Sequence, residues 1–219
     1  VITAYKDREN LERLVCQCRD DANVLIHLDA SSAIFSDSDV GKLSEQDNVR
    51  AMRRYAISWG SYKHLLAILD LCREAVEWTN DDGYIHILSG QDMLTRPMDD
   101  FRRFFDGNRT IYLNYREIPD MEEHQKKYYM HRNHLWRFDY RNPYIRILRK
   151  CDTFFQEASR LLNKRIGKES NLAQGVVWSS MPAVAVKYVL KYIGDNPDFM
   201  KDVVRTHIPE EFPFQTILC

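Results

Sequence analysis

Turn-forming residues are scarce in this 219-residue chain. It has eight glycines and seven prolines, none gathered into a linker, which argues against two domains on a flexible hinge and for a single one. No apolar run approaches the roughly 20 residues that a membrane-spanning helix needs, and no signal-peptide pattern opens the sequence in hand. No excess of one charge exists either: the net charge of −1 argues against a general polyanion binder, leaving only local patches. Repeats and low-complexity tracts are absent. The five cysteines (Cys16, Cys18, Cys72, Cys151, Cys219) are scattered and odd in number. Cys16-Gln17-Cys18 is too close for an easy disulfide, and no second pair completes a zinc site. Cys18 and Cys72 fall on apolar helical faces, which predicts buried free thiols and a reducing, cytoplasmic setting.

What is present is enough for a sizeable core, with 44% hydrophobic and 29% charged residues. Val1–Ala4 reads as a strand. Leu11, Leu14, Val15 and Cys18 make one apolar face of a helix over Asp7–Cys18. Val24–Leu28 (VLIHL) is a second strand, ending in Asp29 and the small residues Ala30-Ser31-Ser32. Strand–helix–strand is the opening of a nucleotide-binding α/β domain. Asp29 is then placed to accept from a base or ribose, or to serve only as a cap or turn residue. Phe35–Gln46 is polar and loop-like. Its Asp37-Ser38-Asp39 is a D-x-D string of the kind that can hold a metal, but no apolar strand precedes it, so it reads as a solvated turn.

Asn48–Met52 is a candidate strand, and a strongly amphipathic helix follows from an N-cap at Ser61 to Trp78. Gly60 before it suits a tight turn or a close backbone approach. Asn80–Gly83 turns into the strand Tyr84–Leu88, which stops in Ser89-Gly90-Gln91-Asp92. That loop is either an Asx-type turn or a functional loop past the carboxyl end of a strand. Met98–Asp106 reads as a short helix and Thr110–Tyr115 as a strand. His124–Lys150 sets eight Lys/Arg against the single acid Asp139, interleaved with aromatics. Such a segment suits a diphosphate, a sugar acceptor or an anionic membrane surface; with the whole chain near neutral, nucleic acid is not the expected partner. Tyr144–Leu162 is a helix with Ile147, Leu148, Cys151, Phe154, Phe155, Ala158, Leu161 and Leu162 on its apolar side. Pro182 fits the first turn of a helix to about Ile193, and Asp198–Arg205 is another. Pro209-Glu210-Glu211 is, by itself, an ordinary acidic helix start.

Separated segments then point together. They are Tyr5-Lys6-Asp7, His27-Leu28-Asp29, Ser58-Trp59-Gly60-Ser61, Leu88-Ser89-Gly90-Gln91-Asp92, Gly175 with Trp178, and Pro209-Glu210-Glu211-Phe212 through Gln215-Thr216. In this order and spacing the chain resembles the core-2/I-branching glycosyltransferases, which include β-1,6-N-acetylglucosaminyltransferases and peptide-O-xylosyltransferases. The resemblance implies a single GT-A-like α/β domain over residues 1–219, with a mostly parallel central sheet flanked by helices. It implies an inverting transfer from a UDP-sugar, GlcNAc favoured and xylose the alternative, to a glycan or lipid-linked glycan acceptor. Glu211 matches the family's catalytic base, which would take the proton of the attacking hydroxyl. Asp29 matches the nucleotide-side aspartate, with Tyr5 nearby in the motif. Trp59, Gly60, Ser89, Gly90, Gln91, Asp92 and Glu210 match walls of the donor and acceptor cleft. Trp178 offers a flat face to a sugar ring, or is simply a core tryptophan.

The branching enzymes are metal-independent, so no metal and no cofactor beyond the donor is expected. The basic residues that neutralise the departing diphosphate lie downstream of the glutamate in the family, past Cys219. Tyr5 stands where relatives commonly have histidine, and Met93-Leu94 replaces an aromatic-proline pair, so the acceptor side is reshaped. A catalytically inactive sugar- or nucleotide-binding domain on the same scaffold is the competing expectation. The cysteines fit a bacterial-type relative in polysaccharide biosynthesis better than a Golgi-lumenal enzyme. It would be cytoplasmic and at the inner membrane surface, with peripheral association through the basic-aromatic segment. Val1 without a methionine, and a helical pattern cut at Cys219, lead to the further expectation that the sequence is truncated at both ends.

Overall fold

The computed structural model describes residues 1–117, 135, 138, 142–162, 173–206 and 208–219. Of the basic-aromatic segment 124–150, residues 124–134, 136–137 and 139–141 lie outside them. By its internal contacts the chain forms two compact units. The first comprises Val1–Ile57, Leu66–Leu113 and Trp178–Leu190, and the second Ser58–Leu65, Asn114–Val177 and Lys191–Cys219.

The first unit holds a five-stranded sheet of β1 (Ile2–Ala4), β2 (Val24–Leu28), β3 (Val49–Met52), β4 (Tyr84–Ser89) and β7 (Ser179–Pro182). Its order is β3-β2-β1-β4-β7. The first four strands are parallel and β7 runs antiparallel to β4. This is the mostly parallel, helix-flanked α/β sheet expected of a GT-A-like domain. β2 is buried at every position, as a strand covered on both faces must be, and its VLIHL run carries that signature. Helix α1 (Arg8–Cys18) starts at Asp7, whose side chain accepts from the Asn10 N–H at 3.1 Å. It buries Leu11, Leu14, Val15 and Cys18 in one cluster with Ile2, Ile26, Leu28 and Val49.

The polar stretch after β2 is not a solvated turn. It forms helix α2 (Asp37–Leu43), because Ser36 and Asp39 close a reciprocal capping box that supplies the missing amide partners. Asp39 is 5% exposed and meets the guanidinium of Arg8 through both oxygens. Helix α3 runs Lys63–Trp78 and buries Ile68, Leu69, Leu71 and Cys72. Ser61 is not its N-cap: the Ser61 hydroxyl is buried without a hydrogen-bond partner among the described residues, and its carbonyl accepts from the His64 N–H instead.

β4 alternates, with Ile85 and Ile87 buried and Tyr84 and His86 half-buried. The half-buried face is covered by Phe101 and Phe105 of α4 (Met98–Phe105), 4.8 and 4.6 Å from the His86 ring. The strand expected over Thr110–Tyr115 reduces to one bridge between Tyr112 and Ser180. β-Rich composition measures fit to a half-covered pleated surface, and Ile111, Tyr112 and Tyr115 are exposed. Pro182 ends β7 at the sheet edge, where its missing N–H is harmless, and helix α6 begins beyond it at Ala183 and runs to Asp195.

The second unit contains the two-stranded ribbon of β5 (Arg116–Glu117) and β6 (Ala173–Gln174). It also holds α5 (Pro143–Leu162), α7 (Pro197–Val203), a 3₁₀ turn (Pro209–Glu211) and α8 (Pro213–Leu218). The apolar side of α5 is turned outward where it is described: Ile147, Leu148, Phe154 and Phe155 are 52–70% exposed. Periodicity places residues on a common face; it does not say what that face meets. All five cysteines are free thiols, Cys18 and Cys72 buried as expected.

Candidate functional site

In the first unit the strand order reverses between β1 and β4, and in open α/β sheets ligands bind outside the carboxyl ends of strands at such a point. Tyr5 follows β1, Asp29 follows β2, and Ser89–Asp92 ends and follows β4, so the topology brings these predicted residues to one edge. Asp29 is 6% exposed. Its Oδ1 accepts from the Ser31 N–H, the Ser31 hydroxyl and the Ile57 N–H, each at 2.8 Å. One oxygen therefore shapes the loop, and the described residues supply no hydrogen bond to Oδ2. Tyr5 is half exposed, and its carbonyl accepts from the Ser32 hydroxyl at 2.7 Å.

Gly90 is required by the close approach of β4 to β1: a Cβ there would lie 2.7 Å from the Cβ of Ala4. Its N–H donates to the Thr3 carbonyl at 2.9 Å. Asp92 turns back on the strand end, its Oδ2 accepting from the Ser89 N–H at 2.7 Å. The Asn10 amide donates to the carbonyls of Gly90 and Asp92, and Gln91 N–H donates to the Ser89 hydroxyl. Asp92 thus closes a turn over Ser89–Asp92 back onto the strand end, inside which the Ser89 hydroxyl accepts as in an ST-type turn. Trp178, half-buried, leads into β7 in the same unit.

A cavity of about 860 Å³ in this unit opens beside the amino ends of the strands, against Ile2, Val24, Ile85, His86, Phe101 and Phe105. It lies at the opposite ends of the strands from Tyr5, Asp29 and Asp92. Burial pushes the His86 imidazole down to about 4.

In the second unit Trp59 is 60% exposed, and the buried Gly60 has φ 73°, a left-handed turn that glycine adopts without strain. Glu211 sits in the 3₁₀ turn and is gripped from the β6 side. The Gln174 amide donates to its carboxylate, and the Gly175 N–H donates to its carbonyl at 3.0 Å. Gly175 has no room for a side chain, since a Cβ would lie 1.8 Å from the Asn114 carbonyl oxygen. Past the turn, Gln215 donates to the Val176 carbonyl at 3.0 Å, and the Thr216 hydroxyl both donates to and accepts from Ala173 at 3.1 Å. Phe212 and Phe214 are fully buried.

Burial raises the Glu211 carboxyl above its ordinary value; the Gln174 hydrogen bond opposes this and the neighbouring Glu210 adds to it. A half-buried carboxylate with a raised pKa, held by a neutral donor, has the properties of a general base. Glu210 is 7% exposed and its Oε1 lies 2.9 Å from His64 Nδ1. Neither Gln174 nor His64 was legible as a partner: they stand 37 and 146 residues away along the chain, with no motif linking them to the acidic pair.

No group of three or more potential metal-ligating side chains occurs among the described residues. The D-x-D string offers none, because Asp39 is committed to Ser36 and Arg8. Among the described residues no helix is long and apolar enough to cross a membrane. No individual curated protein matches the chain significantly. The family model of the Core-2/I-Branching enzyme matches residues 1–219, the whole of it. The chain therefore belongs to the Core-2/I-Branching enzyme family and is a member of a family of glycosyltransferases.

Proposed function

We propose that the protein is an inverting, GT-A-type glycosyltransferase that moves a sugar from a UDP-sugar to a hydroxyl of a glycan or lipid-linked glycan. GlcNAc is the favoured sugar and xylose the alternative. Glu211 is the general base. Its raised pKa and its double attachment to Gln174 and Gly175 carry this reading. In the step, the acceptor oxygen attacks the anomeric carbon while Glu211 takes its proton. The bond from that carbon to the β-phosphate oxygen breaks, its electron pair leaves with UDP, and the configuration inverts. Asp29 Oδ2 accepts from uracil or ribose beside Tyr5. The loop Ser89–Asp92, Trp59 with Gly60, and Trp178 shape the sugar sites. The diphosphate is neutralised by basic side chains without a metal. Five free thiols support a reducing cytoplasmic setting, with a polysaccharide intermediate at the inner membrane surface as acceptor source.

The test is transfer measured with a panel of UDP-sugars and glycan acceptors, with and without chelator, for the parent and Glu211→Gln. Product anomeric configuration is read by proton NMR. Loss of turnover in the Gln variant and an inverted product are expected. Full activity of that variant removes Glu211 as base, and a chelator-sensitive rate removes metal independence. UDP binding by calorimetry with no turnover for any donor favours a non-catalytic binding domain.

A further inference from the structure

The first turn of α3 carries a histidine that the transfer chemistry leaves unused. His64 Nδ1 lies 2.9 Å from Oε1 of Glu210. Glu210 is 7% exposed, and its Oε2 is buried with no hydrogen-bond partner among the described residues. A carboxylate so far out of water is tolerated only where a donor or an opposite charge compensates it. At Oε1 that group is His64.

Glu210 is also the residue before Glu211, so the backbone couples the two side chains through one peptide unit of the 3₁₀ turn. Entry to that turn is strained. Ile208 sits at φ 55°, ψ 63°, a conformation that a β-branched residue avoids and that a following proline disfavours further. Such a conformation persists only where the surroundings over-determine it, and it clusters at functional sites. Gln174 and Gly175 hold the downstream end of the turn by way of Glu211. Upstream, among the described residues, a side-chain anchor is the contact between His64 and Glu210.

We propose that His64 is a positioning residue for the base: its Nδ1–H bond to Glu210 locks the strained turn in the conformation that aims Glu211. The proposal rests on the reading of Glu211 as general base. His64 touches no substrate in it, so the defect on removal belongs in kcat and not in the donor KM. Displacement of a reacting group by about an ångström costs on the order of 100-fold in rate.

Two measurements test it. Steady-state transfer kinetics, with the UDP-sugar that supports turnover, compare the parent with His64→Ala, His64→Asn and Glu211→Gln. His64→Ala is expected to lower kcat about 10- to 100-fold with donor KM changed by less than about 3-fold. His64→Asn, whose amide N–H can take the place of Nδ1–H, is expected to recover most of that loss. Parental kcat in His64→Ala, or no recovery in His64→Asn, overturns the proposal; if Glu211→Gln is inactive at the same time, the base assignment stands. Full activity of Glu211→Gln removes the base assignment itself. The second measurement needs no variant to fold and no turnover. Nitrogen-15 histidine NMR of the parent protein at neutral pH should show Nδ1 of His64 protonated, and a bare Nδ1 overturns the proposal.

Discussion

At the scale of single residues, Glu211 is the position where placement matters most. Glu211→Gln keeps the shape and the Gln174 contact partner but removes the proposed base, so kcat should fall about 10²- to 10⁴-fold with unchanged circular dichroism. In the proposed step Glu211 must be deprotonated to accept the proton, and burial raises its pKa above the ordinary 4.5. The acidic limb of the kcat/KM profile should therefore lie above that value, with activity falling as pH drops through it. Gly175 is a second exacting position. Gly175→Ala drives a methyl against the Asn114 carbonyl oxygen, only 1.8 Å from where its Cβ would stand. Relief must displace backbone that also donates to Glu211. About 1–3 kcal/mol of stability should be lost in urea denaturation, together with kcat; retention of both would contradict the close approach.

At the scale of elements, α2 and α5 show the two ways a pattern can be incomplete. The capping box and the buried Asp39 make α2 depend on a short local motif. Asp39→Ala should cost about 1–2 kcal/mol in chemical denaturation near neutral pH. The Ser36 N–H, the Ser36 hydroxyl and Arg8 hold the Asp39 carboxyl below its ordinary 3.8. Its contribution is thus present above pH 4 and is lost as pH falls below that. α5 has a strong apolar stripe facing outward, so Phe155→Ser should change stability by less than about 0.5 kcal/mol. Phe214→Ala in α8, at a fully buried position, should cost about 3–5 kcal/mol. Equal costs at the two sites would show that α5 packs inward.

At the scale of the whole molecule, the sheet order carries Tyr5, Asp29 and Ser89–Asp92 to the carboxyl edge of the first unit, while the acidic turn and its supports belong to the second. The opposite end of the strands contributes to stability through His86, wedged between Phe101 and Phe105 and bonded to the Ser180 hydroxyl at 2.8 Å. Its folded pKa of about 4 lies below the ordinary 6.5, so between these values the unfolded chain binds the proton and the folded one does not. Stability should fall as pH drops from 6.5 towards 4, by up to about 3 kcal/mol. His86→Gln should flatten that part of the profile in denaturation at pH 5 and pH 7.5, leaving the Asp39 loss below pH 4.

The sequence by itself determined the strands β1 to β4, helices α1, α3 and α4, and the family, because apolar periodicity and short motifs are local signals. VLIHL is buried at every position for the same reason that it is legible: a strand covered on both faces has no polar side to show. Asp29, Asp92 and Glu211 were legible as candidates from their motifs. Only the tertiary structure decided that Asp92 turns inward to hold its own loop, that Arg8 meets the buried Asp39 of the α2 capping box, and that the stripe of α5 faces out. It alone brought Gln174 and His64 to the acidic turn. These are contacts between residues tens to more than a hundred positions apart. Burial and hydrogen-bond partners arise from the packing of the chain in space, and no local pattern of residue types encodes which distant side chain will supply them.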